Sequence, residues 1–260
     1  MRFRMRAGLV AVLAGLFAPD AAVAMTLPDC AGAVDVAQAW IMRVEKDGAL
    51  VLRDGRSVSL EGIRLPGADN PSDPVAALAL DTLRKLTHTV PLTLTVTPPE
   101  QDRYGRIRVQ AFGNVWLQTE MLRRGLARVM IAPDRQECYP DFYEAETEAR
   151  KGGRGLWASP VFAVRQATGF SAPAGSFQLV EGLVIAAATH DGRVFLDFST
   201  DYRNGFSATV APDDHKAFRG NEPAIEDLAG HRIRLRGIVE RFNGRAEIAL
   251  SNPRQIELLQ

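Results

Sequence analysis

The residues of this chain whose types and spacing bear on chemistry are two cysteines, four histidines and a set of arginine-rich stretches. Cys30 and Cys138 lie 108 positions apart, an even count that reads as one disulfide in an oxidising compartment and as two free buried thiols in a reducing one. His88, His190, His215 and His231 are scattered singly, without the spacing a zinc site needs, and read as surface or capping residues. Arg232, Arg234 and Arg236 alternate with Ile233 and Leu235, so the three share one strand face, and Arg241 and Arg245 add charge around the same hairpin. With Tyr202, Phe206 and Phe242 as stacking platforms, such a face has the chemistry to hold a single-stranded polyanion. The competing reading is a solvated strand with Phe206 and Phe242 in the core. Asp213, Asp214, Glu222, Glu226 and Asp227 dilute the local charge.

The elements that position these residues belong to a folded chain. Of 260 residues, 46% are hydrophobic and 24% charged, which excludes a disordered, collagen-like or multi-span membrane protein. Basic and acidic residues both number 31, so no overall attraction to a polyanion or an anionic membrane follows. Arg2, Arg4 and Arg6, the apolar run from Ala7 to Ala18 and Ala22-Val23-Ala24 have the order of a secretory signal peptide, cleaved after Ala24. The apolar run is shorter than the roughly 20 residues of a membrane span, and no small-residue pattern of a lipoprotein precedes Cys30. Cleavage leaves 28 basic against 30 acidic residues and sends the chain to the periplasm or beyond. In that setting Cys30 and Cys138 are expected to pair, closing a loop worth about 4 to 5 kcal/mol by chain entropy.

Turn-rich residues 168 to 175 separate two parts. In the first, Leu50 to Leu52, the turn Asp54-Gly55 and Val58 to Leu60 read as a hairpin; Leu92 to Val96 and Ile107 to Ala111 alternate as half-buried strands. Three helices are expected: one opened by Asp73 and Pro74, one from about Trp116 to Arg124 ending at Gly125, and one from near Asp141 to Gly152-Gly153. The second part reads as strands Phe177 to Ala188, Arg193 to Phe198, Phe206 to Val210, Arg232 to Phe242 and Ala246 to Leu250. Turns at His190-Asp191-Gly192 and Asn243-Gly244 join them, with short helices over Pro212 to Phe218 and Glu222 to Leu228.

Asp102-Arg-Tyr-Gly-Arg106, the segment Leu117 to Ala127 ending Arg-Arg-Gly-Leu-Ala, and Glu146-x-x-Ala-Arg-x-x-x-Arg-Gly-Leu-Trp157 resemble, in order and spacing, the staphylococcal (thermonuclease-like) nuclease family. The hairpin from Leu50 to Gly62 and Ile63 fits the family's strand leading to its site turn, and the resemblance covers about residues 40 to 160. It implies a five-stranded OB-type barrel with three helices, and calcium-dependent cleavage of DNA and RNA. Two Asp hold the metal, a Glu assists the attacking water and two Arg stabilise the phosphate. Carried over position by position, the metal-binding Asp falls on Gly48, the first Arg on Ser59, the second Asp on Arg64 and the Glu on Gly67. Only the second Arg is kept, as Arg106. Asp47, Glu61 and Asp69 are the carboxylates from which a relocated site would have to be built. Arg64 in place of an Asp inverts the charge, so Arg64 and Arg106 could hold a phosphate or carboxylate without metal; the alternative is a solvent-facing Arg64. Tyr104 is a further candidate, by stacking or as a structural hydroxyl. Arg103 and Arg108 extend the basic strip or are solvated, and Trp157 reads as core.

The segments Val194 to Phe198, Leu235 to Val239 and Ile248 to Ile256 resemble OB-type domains of nucleic-acid-binding proteins, over about residues 176 to 258. The expectation is therefore mainly β with helices (α+β): a signal peptide at 1–24, a thermonuclease-like domain at 25–165, a linker at 166–175 and an OB-like domain at 176–260. No catalytic residue is assigned beyond the retained Arg106. Anion or nucleic-acid contacts fall on Arg64, Arg106, Tyr104, Arg234 and Arg236, and the disulfide on Cys30 and Cys138. No calcium or other cofactor is expected, and no membrane span remains after cleavage. The partner is nucleic acid or another anionic ligand. A phosphodiesterase with relocated metal ligands and an envelope scaffold are the two other functions the residues admit.

Overall fold

Alternating apolar residues build the first sheet of this computed structural model, which describes residues 26–101, 105–135, 137–201, 205–242 and 244–259. The expected leader and the side chains of Tyr104 and Tyr202 lie outside the described residues. Strands β1 (Ala33–Ala39), β2 (Ile41–Val44), β3 (Leu50–Leu52), β4 (Ser57–Leu60) and β5 (Ile63–Arg64) lead to helix α1 (Pro74–His88). After them come β6 (Leu92–Val96), β7 (Ile107–Phe112), α2 (Leu117–Arg123), β8 (Arg128–Val129) and α3 (Tyr139–Lys151). Six strands pair in the order β1-β6-β7-β4-β3-β2. β1 and β2 are separated in the chain by Trp40 alone yet stand at opposite ends of that order, so the sheet must curl on itself. Its inner face and the three helices enclose Leu50, Leu83, Leu92, Leu94, Val109, Leu117, Met121 and Phe142, all fully buried.

Local chemistry sets the ends of these elements. The 50–60 hairpin forms where expected, with Gly55 at positive φ, but its loop is three residues, 53 to 55, closed between Leu52 and Arg56, which sets Leu50 opposite Val58 where a two-residue Asp54-Gly55 turn would have placed Val51. Asp73 Oδ1 accepts a hydrogen bond of 2.9 Å from the Val75 amide and opens α1, with Pro74 in the first turn. Helix α3 starts at Tyr139, two residues before the expected position, because Cys138 stands ahead of it in a left-handed conformation and is bonded to Cys30. That disulfide, with Cα atoms 5.2 Å apart, ties β1 and its preceding turn to the body.

The second part begins with β9 (Arg165–Gln166), β10 (Phe177–Leu183), β11 (Ala186–His190), β12 (Arg193–Asp197) and β13 (Ser207–Val210). The short helix α4 (His215–Phe218), β14 (Arg232–Phe242), β15 (Arg245–Leu250) and β16 (Ile256–Leu258) complete it. The strand expected to run unbroken from Phe177 to Ala188 bends at Val184 and Ile185, because Val184 bonds His231 while Ile185 bonds Asp197. Of the helix expected over Glu222 to Leu228, only a 3₁₀ turn at Ile225–Asp227 forms. The sheet order β11-β12-β13-β15-β14-β10-β9, with β16 also on β14, curls into a half-barrel over its own core. The molecule is thus mixed α+β, as expected, with a curled half-barrel consistent with an OB-type second domain. Among the described residues, no helix is long and apolar enough to cross a membrane.

Candidate functional site

Parallel pairing of β4 with β7 sets Ser59 beside Arg108, so the positions that bear on chemistry alternate along two neighbouring strands. Ser59 lies in β4 and Glu61 just past its end, while Arg108 lies in β7 and Arg106 just before its start. Instead of an open acidic cleft, this region holds an internal ion network. The Glu61 carboxylate lies 3.2 Å from Arg108 Nε and 3.5 Å from Arg135 Nε, and it accepts the Gly62 amide at 3.1 Å. Arg108 in turn grips Asp134 through both terminal nitrogens, at 2.8 and 2.7 Å, and Arg135 donates to the Pro98 and Pro99 carbonyls. Burial pushes the Glu61 carboxyl up, against the pull of Arg108 and Arg135, whereas the Arg108 hydrogen bond holds Asp134 below the usual range. Among the described residues, Ser59 donates only to the Ile107 carbonyl, at 3.4 Å.

The other family positions are equally changed. Gly48 takes a φ of +90°, where a side chain is strained, and a Cβ built there would fall 2.4 Å from Leu65 Cδ1 and push that side chain aside. Asp47, one residue earlier, accepts the Ala49 amide at 3.1 Å and lies 3.3 Å from Arg106 Nη1. Arg106 itself is 42% exposed. Arg64, expected from the sequence to stand at the family's second Asp position, turns to Asp69: its Nε and Nη2 donate to that carboxylate at 3.0 to 3.2 Å, and Nη2 also reaches the Ala68 carbonyl at 3.2 Å.

Asp69 is a hub that connects the two parts of the chain. Besides Arg64 it accepts from Arg128, whose side chain is 2% exposed, and from the Phe177 amide at the start of β10. Arg128 donates back to the Phe177 carbonyl at 3.0 Å and lies over the rings of Phe162 and Phe177. The segment from Arg64 to Asp69 is therefore bolted to the second sheet.

The arginine stripe of β14 forms the rest of that seam. Arg232, Arg234 and Arg236 do share a face, and burial deepens along it: Arg232 is exposed, Arg234 is 13% exposed and Arg236 is 0% exposed. Arg234 pairs with Glu181 across β10 and with Glu257 across β16. Arg236 donates to Glu146 at 2.9 and 3.1 Å, to Glu257 and to the Val129 carbonyl at 3.1 Å, and it stacks on Tyr143. Burial alone disfavours its charge, but Glu146, Tyr143 and Glu257 outweigh that and hold the guanidinium above its ordinary pKa. With no surface, Arg236 has nothing to offer a ligand from solvent. Phe206 is likewise interior, packed between Phe170 and Phe198, whereas Phe242 is 51% exposed.

Sequence reasoning did not single out Glu146, Glu181 or Glu257 as partners of this stripe. The signal was present: each arginine of an alternating strand face needs a carboxylate if that face is buried, and the chain has equal numbers of both charges.

The calcium implied by the family needs six to eight oxygen ligands. The residues present do not fit it: Asp47, Glu61 and Asp69 each serve arginines and backbone amides at separate places. Among the described residues, no three His, Cys, Asp or Glu are grouped to hold a metal ion. No curated protein matches the chain. Residues 57–159 do match the family model described as staphylococcal nuclease homologue, from the second strand of the hairpin through the Arg-Gly-Leu-Trp turn. Those residues form a staphylococcal nuclease homologue domain, an OB-type fold.

Proposed function

We propose that this chain is an exported, non-catalytic module that binds nucleic acid or another phosphate-bearing ligand. In this reading a signal at 1–24 precedes a nuclease-like domain at 25–165, a linker at 166–175 and an OB-like domain at 176–260. The family domain suggests nuclease-like nucleic-acid binding, and the Cys30–Cys138 disulfide is compatible with an extracytoplasmic site. The observation that carries the absence of hydrolysis is the fate of the acids. Asp47, Glu61 and Asp69, the carboxylates nearest the family positions, are all engaged by arginines, so none is left to activate water or anchor a metal. Arg106 keeps the family's phosphate-binding type and stands at the surface; Tyr104, two residues earlier, is the proposed stacking partner. Arg64, Arg234 and Arg236 serve the seam, with Arg64 and Arg234 retaining only slim exposure toward a ligand.

The mature protein would be incubated with single-stranded DNA and RNA oligonucleotides, with calcium and with chelator. Intact strands in both, with binding by fluorescence polarisation that weakens as salt rises, is the expected result. Arg106→Ala should lower affinity about tenfold, the size of one charge-assisted contact. Calcium-dependent cleavage that Arg106→Ala abolishes would replace this reading by an active phosphodiesterase. No binding even at low salt would favour a scaffold.

A further inference from the structure

The half-barrel of the second part has an opening into its core. A cavity of about 250 Å³ lies between the end of α4 and the strand β16, lined by Phe218, Ile225 and Leu228 on one wall and Ile256 and Leu258 on the other. Phe218, Ile225 and Leu228 are core residues of this sheet, at most 6% exposed, whereas Leu258 at the mouth is 51% exposed. The pocket is open to solvent on one side, and its volume exceeds the roughly 150 Å³ that holds benzene in a closed apolar cavity. Mouths of β-barrels are recurrent places for such sites.

The rim is built rather than loose. Pro253 and Arg254 sit in a 3₁₀ turn whose Asn252 side chain accepts from the Arg254 amide at 2.9 Å. Asn252 Nδ2 donates across the seam to carbonyls of Ala132, Pro133 and Arg135, and the Tyr143 hydroxyl donates to the Arg254 carbonyl. The main chain of Arg254 is thus fixed by the first domain. Among the described residues, no carboxylate lies within ion-pair distance of its exposed guanidinium. The opposite rim carries Pro223, Asn221, whose Nδ2 is spent on the Phe218 carbonyl, and the exposed carboxylate of Glu222. One rim is cationic and the other anionic, and the two side chains do not meet.

We propose that this cavity is a binding site for a small apolar molecule ending in a carboxylate, its body in the Phe218, Ile225 and Leu228 pocket and its head on Arg254. Preorganisation of the Arg254 backbone lowers the cost of holding the head, and Glu222 directs the negative charge to the Arg254 side. The site is separate from the Arg106 region and does not rest on the nucleic-acid reading.

Isothermal titration of the mature protein with octanoate, octanol and octylammonium tests this. Octanoate should bind about tenfold more tightly than octanol, and octylammonium most weakly. Arg254→Ala should bring octanoate down to octanol, and Glu222→Gln should tighten octanoate several-fold. Leu228→Trp, which fills the cavity, should abolish binding of all three. Leu258→Gln, at an exposed position that leaves the core intact, should weaken all three by several-fold. Equal affinity of octanoate and octanol for the unaltered protein would overturn the headgroup assignment. Failure of all three to bind, or binding untouched by Leu258→Gln and Leu228→Trp, would overturn the site.

Discussion

Individual carboxylates in this protein have changed employment, and their protonation shows it. Asp69 neutralises Arg64 and the buried Arg128 while accepting the Phe177 amide, so Asp69→Asn leaves two guanidinium groups short of a counter-charge. A loss of about 3 kcal/mol in urea unfolding is the expected outcome. Glu257 is pushed up by burial but pulled further down by Arg236 and Arg234, so its carboxyl ends below the ordinary glutamate range. Across the interval between that lowered value and about 4.5, the unfolded chain binds the extra proton. The stability Glu257 contributes is therefore present above about pH 4.5 and is lost as pH falls through the folded value. Replacing it by Gln should flatten the acid limb of a stability-against-pH profile. Glu61 has the opposite sign, since its raised carboxyl makes stability fall as pH rises through the folded value, and Glu61→Gln should remove that slope.

At the level of elements, the family's signature segments act as joints. Gly125 ends α2 with a φ of +68°, and a Cβ there would lie 2.1 Å from the Arg154 carbonyl oxygen, while the Leu156 amide donates to the Gly125 carbonyl at 2.8 Å. The Arg-Arg-Gly-Leu-Ala and Arg-Gly-Leu-Trp pieces thus meet in one backbone contact. Gly125→Ala should cost roughly 2 kcal/mol or more by denaturant unfolding, combining left-handed strain with the clash. Gly153→Ala is the control: its φ is also positive but nothing lies within 4 Å of the added carbon, so about 1 kcal/mol is expected.

For the whole molecule, the seam decides whether two small cores behave as one body, and the disulfide decides how firmly β1 is held to the first of them. Arg236→Met strands the fully buried Glu146, while Glu257 keeps Arg234, and should lower stability by about 3–5 kcal/mol, whereas Arg232→Ala on the exposed end of the same face should change it by less than about 0.5 kcal/mol. Both are read from chemical denaturation curves. Changing Cys30 and Cys138 together to Ala opens a loop of 108 residues and should cost up to about 4 to 5 kcal/mol, seen as a lowered melting midpoint that reductant no longer affects. An unchanged midpoint would mean that β1 is held by its pairing with β6 rather than by the bond.

Local chemistry already determined much of this protein. Alternating apolar residues fixed the hairpin at 50–60 and the strands at 92–96 and 107–112, and Asp73-Pro74 and Gly125 set helix ends, because these choices depend on neighbours within a few residues. The nuclease-like identity of the first domain was legible for the same reason, since its turns and glycines answer to short-range geometry. Short strands such as β5, β8 and β16 were not legible, as two or three residues become a strand only when a distant partner supplies the hydrogen bonds. The same holds for the candidate site. The residues Gly48, Arg64 and Gly67 could be read along the chain, but which carboxylate each arginine meets is settled across as many as 90 residues, as for Arg236 and Glu146. An alternating arginine face looks identical whether water or a second barrel covers it. Only the tertiary structure decided that Arg236 is interior, that Arg64 binds Asp69, and that Arg106 remains at the surface, because burial is a property of what packs against a face and is not written in the face itself.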